Sequence, residues 1–199
     1  MNFDPICSWL SGAGVIIGRD DRALLEQHTQ EVKLPKHAIL LQQGRPAPKL
    51  FFLNKGIVRL FKIHEGADMT IDFISGREFV STAVYVLNQL PSPVGLQALT
   101  KVQALEWQRP DLVTFETELH AAGRIKSALL ERLLNWNLER EIDIMTLTPE
   151  ERYLKLMAVQ PDVIKWVPRK YIASYLGIHS DSLSRIRKKM SAPPPDTSL

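Results

Sequence analysis

One cysteine in 199 residues removes several chemistries at once. Cys7 has no partner for an internal disulfide, and a lone thiol cannot hold a zinc ion or an iron–sulfur cluster. A reducing cytoplasm is the compartment that suits it. Long apolar runs are missing too. The N-terminal run ICSWLSGAGVIIG is 13 residues long, short of the roughly 20 that span a bilayer. It follows Asp4 rather than a basic segment, so it reads as a helix or arm packed on the body of the protein, with no membrane partner.

Metal-binding and catalytic spacings are equally scarce. The histidines, His28, His37, His64, His120 and His179, are scattered. They lack the closely spaced pair, following glutamate and third histidine that gather metal ligands in jelly-roll enzymes. His64 in IHEG is a lone His-Glu at a turn and reads as solvated. No Ser-His-Asp constellation, phosphate-cradling glycine loop or carboxylate pair follows from spacing. We therefore expect no metal, no cofactor and no enzyme.

What remains is an ordinary globular composition, 45% apolar with a formal charge of only +3. The charge is uneven. Between Pro168 and Met190 there are six Lys or Arg residues against the single acid Asp181, a local net of +5 that leaves the rest of the chain near −2. A basic module attached to a neutral one fits that asymmetry.

From about Val32 to Leu112 the chain reads as short strands separated by turn signals. Apolar and polar residues partly alternate in GIVRLFKI and MTIDFI, and Asn-Lys-Gly and Glu-Gly-Ala-Asp are hairpin-type breaks. The expected structure is an antiparallel β-barrel or jelly roll. A helical pattern then runs from Phe115 to Leu147, with Leu119, Ala122, Leu129, Leu133 and Trp136 on one stripe and Leu130 and Leu134 widening it. Such a helix needs two surfaces to pack against: the barrel, and the same helix of a second subunit. Leu129, Leu133 and Trp136 are the candidate dimer interface.

Thr148-Pro149-Glu150-Glu151 is a helix start, with Thr148 as N-cap, Pro149 at the first position and Glu151 closing a capping box. Pro161 and Pro168 bracket a short connection. In YIASYLGIHSDSLSRIRKK, Ala173 sits four residues before Gly177, and Leu183 and Ile186 follow it by six and nine. Two helices crossing steeply need a small side chain at the contact, and the tight turn needs a residue that tolerates positive φ. The spacing predicts a helix-turn-helix. At roughly 100° per residue, Leu183, Ile186 and Met190 gather on one side of the second helix. Asp181, Ser184, Arg185 and Lys188 occupy the other side, with Ser182, Arg187 and Lys189 on the flanks. Those exposed groups suit a major groove and its phosphates.

With a β-barrel, a long helix and that C-terminal pattern, the chain resembles the cyclic-AMP receptor protein / FNR family of bacterial transcription regulators from about Leu34 to Met190. LFFLNKGIVRLFK and YIASYLGIHSDSLSRIRKK carry most of the resemblance. EERYLKLM followed directly by VPRKYIASYLGI looks most like the compact members of Bacteroidetes-type bacteria. The resemblance implies a cytoplasmic α+β homodimer that binds double-stranded DNA and works with RNA polymerase. By position it puts base contacts at Ser180, Asp181 and Arg185, with Ser180 standing where the family often has arginine. Together with the helical geometry it makes Ser180, Asp181, Ser184 and Arg185 the candidate base contacts. Arg169, His179, Ser182, Lys188 and Lys189 are the candidates for the DNA backbone. The family's cyclic-nucleotide pocket, a Gly-Glu and a later Arg-Ser/Thr, falls here on Ser81-Thr82 and Ser92-Pro93, so carboxylate and guanidinium are both lost. The effector is expected to be of another kind or absent; Arg59 or Arg77 would be the substitute cations. The expected division is 1–114 for the effector-type domain with its N-terminal arm, 115–147 for the dimerisation helix, 148–190 for the DNA-binding domain and 191–199 for a disordered tail. The alternative is a sensor or interaction module of the same fold without direct DNA binding.

Overall fold

Leu50-Phe51-Phe52-Leu53 has no polar residue to mark a solvent face, because both faces of its strand are covered. In a computed structural model, which describes residues 1–80, 86, 88 and 90–191, Phe51 and Leu53 point into one core while Leu50 and Phe52 point into another. Period-two alternation thus separates two apolar environments rather than apolar from wet. The strand is β3 (Lys49–Lys55), and the others are β1 (Gln30–Leu34), β2 (Ile39–Leu41), β4 (Ile57–His64), β5 (Ala67–Ser75), β6 (Glu78–Val80), β7 (Gly95–Ala98) and β8 (Val102–Gln108). They form two four-stranded antiparallel sheets, ordered β1-β8-β3-β6 and β2-β7-β4-β5.

Of the two expected forms, β-barrel or jelly roll, the barrel is corrected: the strands form a two-sheet β-sandwich. The chain crosses between sheets at Gly56, and β3 and β4 do not pair with each other. The inner faces meet through side chains (Phe51, Leu53, Val58, Ile74, Leu96, Val102) instead of a continuous hydrogen-bond ladder. Gly56 has φ 111°, and a Cβ there would lie 2.6 Å from the Lys101 carbonyl oxygen. Asn-Lys-Gly is thus a sheet switch, not a hairpin. Glu65 and Gly66, at φ 50° and 80°, do form the two-residue hairpin that joins β4 to β5, since a type I′ turn needs positive φ at both central positions.

Helices cover the outer faces. On the first sheet lie α1 (Asp4–Gly12), α2 (Arg19–Gln27), α3 (Arg109–Glu118) and the start of α4 (Ala122–Thr146), with Phe3, Ile6, Leu10, Leu25 and Phe115 packed on Leu50, Phe52 and Trp107. The apolar N-terminal run is thus a packed helix, as its length implied. The expected helix from Phe115 to Leu147 is broken at 119–121. There the buried Asp21 of α2 accepts hydrogen bonds from the backbone N–H of His120 and Ala121, at 2.8 and 3.1 Å. A carboxylate supplied from a distant element satisfies donors at the start of α4 and suits the positive end of its dipole.

On the second sheet lie α5 (Pro149–Val159), α6 (Pro161–Trp166), α7 (Arg169–Leu176) and α8 (Ser180–Ser191). The expected connection between Pro161 and Pro168 is itself a short helix. Thr148 caps α5 as its sequence predicts: its Oγ1 accepts from the Glu151 N–H at 3.3 Å, and Glu151 Oε2 accepts from the Thr148 N–H at 2.8 Å. The Thr148 N–H and the Thr148 hydroxyl, each donating to Glu151 Oε2 at 2.8 Å, hold the Glu151 carboxyl below the usual carboxylate range. Ile57, Phe73 and Leu99 of the sandwich share one core with Tyr153, Leu156, Ile172, Leu176 and Leu183 of these helices. Each such buried side chain contributes about 1.5–3 kcal/mol. Among the described residues, no helix is long and apolar enough to cross a membrane.

Candidate functional site

Gly177 sets the angle between the last two helices. It ends α7 at φ 70°, with the Ile178 N–H bonded to the Ala173 carbonyl at 3.0 Å and the Gly177 N–H to that of Ser174 at 3.1 Å. This pair of bonds is a Schellman cap, which requires a left-handed residue at that point. The His179 carbonyl then accepts from the Leu183 N–H at 3.1 Å to open α8. Ala173 is buried at the crossing, Leu183 is 0% exposed, and Ile186 and Met190 are half-buried beside it.

Burying that face fixes what the other side presents. Ser180, Asp181, Ser184, Arg185, Lys188 and Lys189 are exposed on α8, Ser182 is half-buried at its flank, and His179 and Arg169 are exposed at the starts of α8 and α7. Two of these groups are engaged. Ser184 Oγ donates to the Ser180 carbonyl at 3.0 Å, and Lys189 Nζ lies 2.9 Å from a Glu150 oxygen. Exposed pairs of the second kind are worth little and give way to a stronger anion.

The long helix separates its apolar residues into two sets. Trp136 turns inward, donating Nε1–H to Asp72 Oδ2 at 2.6 Å, while Leu129 and Leu133 are half-buried. Leu134, Leu138, Ile142 and Met145, at successive spacings of four, four and three, are exposed. Among the described residues no element of this chain buries that stripe.

In the sandwich, Ser92 is completely buried and closed on its own turn. Its Oγ donates to the Val94 carbonyl at 2.8 Å, and its N–H bonds the Arg45 carbonyl at 3.0 Å. Pro93 is exposed, and Ser81 and Thr82 lie outside the described residues. Arg59, one of the two substitute cations, is 3% exposed and already engaged. Nη1 and Nη2 each reach Asp68 at 2.7 Å, Nε reaches Gln97 at 2.9 Å, and the guanidinium lies between the rings of Phe61 and Tyr171. Arg77 is exposed at the turn between β5 and β6.

Sequence periodicity did not reveal a set of polar contacts between sandwich and helices. The Thr70 N–H donates to Ser174 Oγ at 2.8 Å, and Ser75 Oγ donates to Gln160 Oε1 at 2.8 Å. Asp72 is buried, which pushes its carboxyl above the usual range despite Arg140, the Phe73 N–H and Trp136. Burial, reinforced by Asp72, also raises the Tyr175 phenol, over whose ring the Arg140 guanidinium sits at 4.8 Å. Asp72 stands out in MTIDFI only as a polar residue on a strand. No described His, Cys, Asp and Glu residues cluster as a metal site.

Comparison with known proteins agrees with this architecture. Residues 31–116 match the family model described as Cyclic nucleotide-binding domain. None of the curated proteins matches the chain by sequence. Among solved structures, the c-di-GMP-responsive global regulator CLP of Xanthomonas campestris has a TM-score of 0.68 at 19% identity, over 85% of this chain and 90% of its own. FixK2 of Bradyrhizobium japonicum has a TM-score of 0.68 at 15% identity, over 81% and 84%. The catabolite activator protein of Thermus thermophilus has 0.51 at 18%, over 87% and 84%. The chain thus combines a sequence match to the cyclic nucleotide-binding domain with the fold of cyclic-AMP receptor protein / FNR transcription regulators.

Proposed function

We propose that the chain is a DNA-binding transcription regulator of the cyclic-AMP receptor protein / FNR type, acting in the cytoplasm as a homodimer on a two-fold site. One observation carries this reading: α8 buries Leu183 completely and leaves Asp181, Arg185 and Lys188 exposed on the side away from it. A capped two-helix head with one basic, unpacked face matches a major groove in shape and in charge. Residues 148–190 form the helix-turn-helix domain in this reading, 1–114 the effector-type domain, and 115–147 the dimerisation segment. Ser180, Asp181, Ser184 and Arg185 face base edges, and Arg169, His179, Ser182, Lys188 and Lys189 face the backbone.

The dimer contact is carried by Leu134, Leu138, Ile142 and Met145, because a monomer has no reason to keep a four-residue apolar stripe in water. Leu129 and Leu133 border it, and Trp136 is committed to Asp72. RNA polymerase is the further partner. Cyclic nucleotide is not the effector, since a buried Ser92 closed on its own backbone offers no cation to a cyclic phosphate. The test is selection of genomic fragments by the purified protein. Enrichment of a two-fold sequence with half-sites about 34 Å apart supports the reading. Failure to retain any fragment refutes it.

A further inference from the structure

A cleft of about 420 Å³ opens where the second sheet, α4 and α5 meet, and neither Ser92 nor Pro93 lines it. Its charges are unevenly spent. Arg132 is held by Glu78 at 2.9 Å and Lys155 by Asp143 at 2.6 Å. Three guanidinium groups on the wall, Arg77, Arg140 and Arg152, are not neutralised in this way. Arg77 is exposed. Arg140 meets Asp72 only at 3.9 Å, and Asp72 already accepts from Trp136 and from its neighbour's backbone N–H. Arg152 gives one terminal N–H to the Leu176 carbonyl at 2.9 Å, while its Nε is buried without a hydrogen-bond partner. Of the wall carboxylates, Asp72 meets Arg140 only at 3.9 Å and the exposed Glu139 has no ion pair among the described residues, while Glu78 and Asp143 are taken.

Three guanidinium groups on the wall of one small cleft suit the several oxygens of a phosphate group better than a single carboxylate. The volume is that of a small-molecule site. We propose that this cleft binds a small phosphate-bearing anion, held by Arg77 from the sandwich, Arg140 from the long helix and Arg152 from the C-terminal helices. Such a ligand touches all three parts of the chain, and through Arg152 it reaches the carbonyl end of α7. The site stands independently of DNA binding, and so does its test.

Pyrophosphate is the probe, with thermal unfolding and calorimetry on the full chain. For a chain of this size a one-site ligand at one hundred times its Kd raises Tm by about 5–10 °C. We expect that order of shift at millimolar pyrophosphate, and binding weakened by about tenfold or more in Arg152→Gln and in Arg77→Ala. Arg77→Ala is an exposed change that leaves the core intact, so it decides the matter if Arg152→Gln does not fold. No stabilisation of the unaltered protein, or unchanged binding in Arg77→Ala, overturns the site. Equal stabilisation by citrate at matched ionic strength overturns the phosphate class.

Discussion

The Arg59 guanidinium lies 4.0 Å over the ring of Tyr171 while two of its nitrogens each hold an Asp68 oxygen at 2.7 Å. A strand of the sandwich and the first helix of the C-terminal pair are thereby locked through one buried cation. Truncating Arg59 to alanine should lower stability by about 1–3 kcal/mol, below the usual cost of breaking a fully buried pair because Asp68 is half exposed and can return to water. Tyr171→Leu keeps the apolar bulk and should cost less, about 0.5–2 kcal/mol. Urea titration measures both; equal midpoints for Arg59→Ala and the parent would show that the lock is not energetic.

A second prediction concerns pH. Burial raises the Asp72 carboxyl, so the folded chain holds that proton to higher pH than the unfolded chain does. Stability from this group is therefore complete below the unfolded carboxylate pKa and is lost as pH rises through the folded value. Asp72→Asn keeps an oxygen for Trp136 and cannot ionise, so it should flatten the fall in stability as pH rises above the carboxylate range. Urea midpoints between pH 4 and 8 check this. A parallel pH dependence in both proteins would contradict it.

Cyclic AMP should not bind in the sandwich, since Ser92 is buried in a self-bonded turn and Arg59 is fully engaged. Calorimetry is expected to show no heat of binding at micromolar nucleotide. A Kd in that range or tighter would contradict the loss of the pocket.

The exposed stripe on the long helix makes the dimer testable without disturbing the fold. Leu134 is 67% exposed in the single chain, so Leu134→Glu should leave the monomer's unfolding unchanged within about 0.5 kcal/mol. In the dimer the same change buries an unpaired carboxylate. Sedimentation at micromolar concentration should show the parent as a dimer and the variant shifted to monomer. A monomeric parent that binds DNA with full affinity would contradict the interface.

What could be read in advance was local. The Thr148 capping box, the positive φ at Gly177 and the burial of Leu183 each depend on residues within a few positions of one another, and each stands in the structure as its spacing predicts. What escaped depends on distant partners. Asp21 breaks the long helix from about one hundred positions away, and nothing around Leu119 announces it. Trp136 sits on the same apolar stripe as Leu129 in the sequence, yet its indole N–H is claimed by Asp72 from β5. Alternation reports which residues face inward and not whether edge strands bond to one another, so it leaves a closed barrel and a two-sheet jelly roll undistinguished. Arg77, Arg140 and Arg152 come from three separate elements, and no spacing links them.

The central claim is that α8 reads DNA, and one paired measurement tests it most directly: binding of Arg185→Ala and Arg169→Ala to the selected site and to scrambled DNA across several salt concentrations. Arg185 can pair bidentately with guanine, so its loss should cost about 1–3 kcal/mol on the selected site and little on scrambled DNA. Arg169 should grip phosphate, so its loss should weaken both and reduce the salt slope by about one unit per contact. If Arg185→Ala binds the selected site as tightly as the parent, α8 does not read the sequence and the account fails.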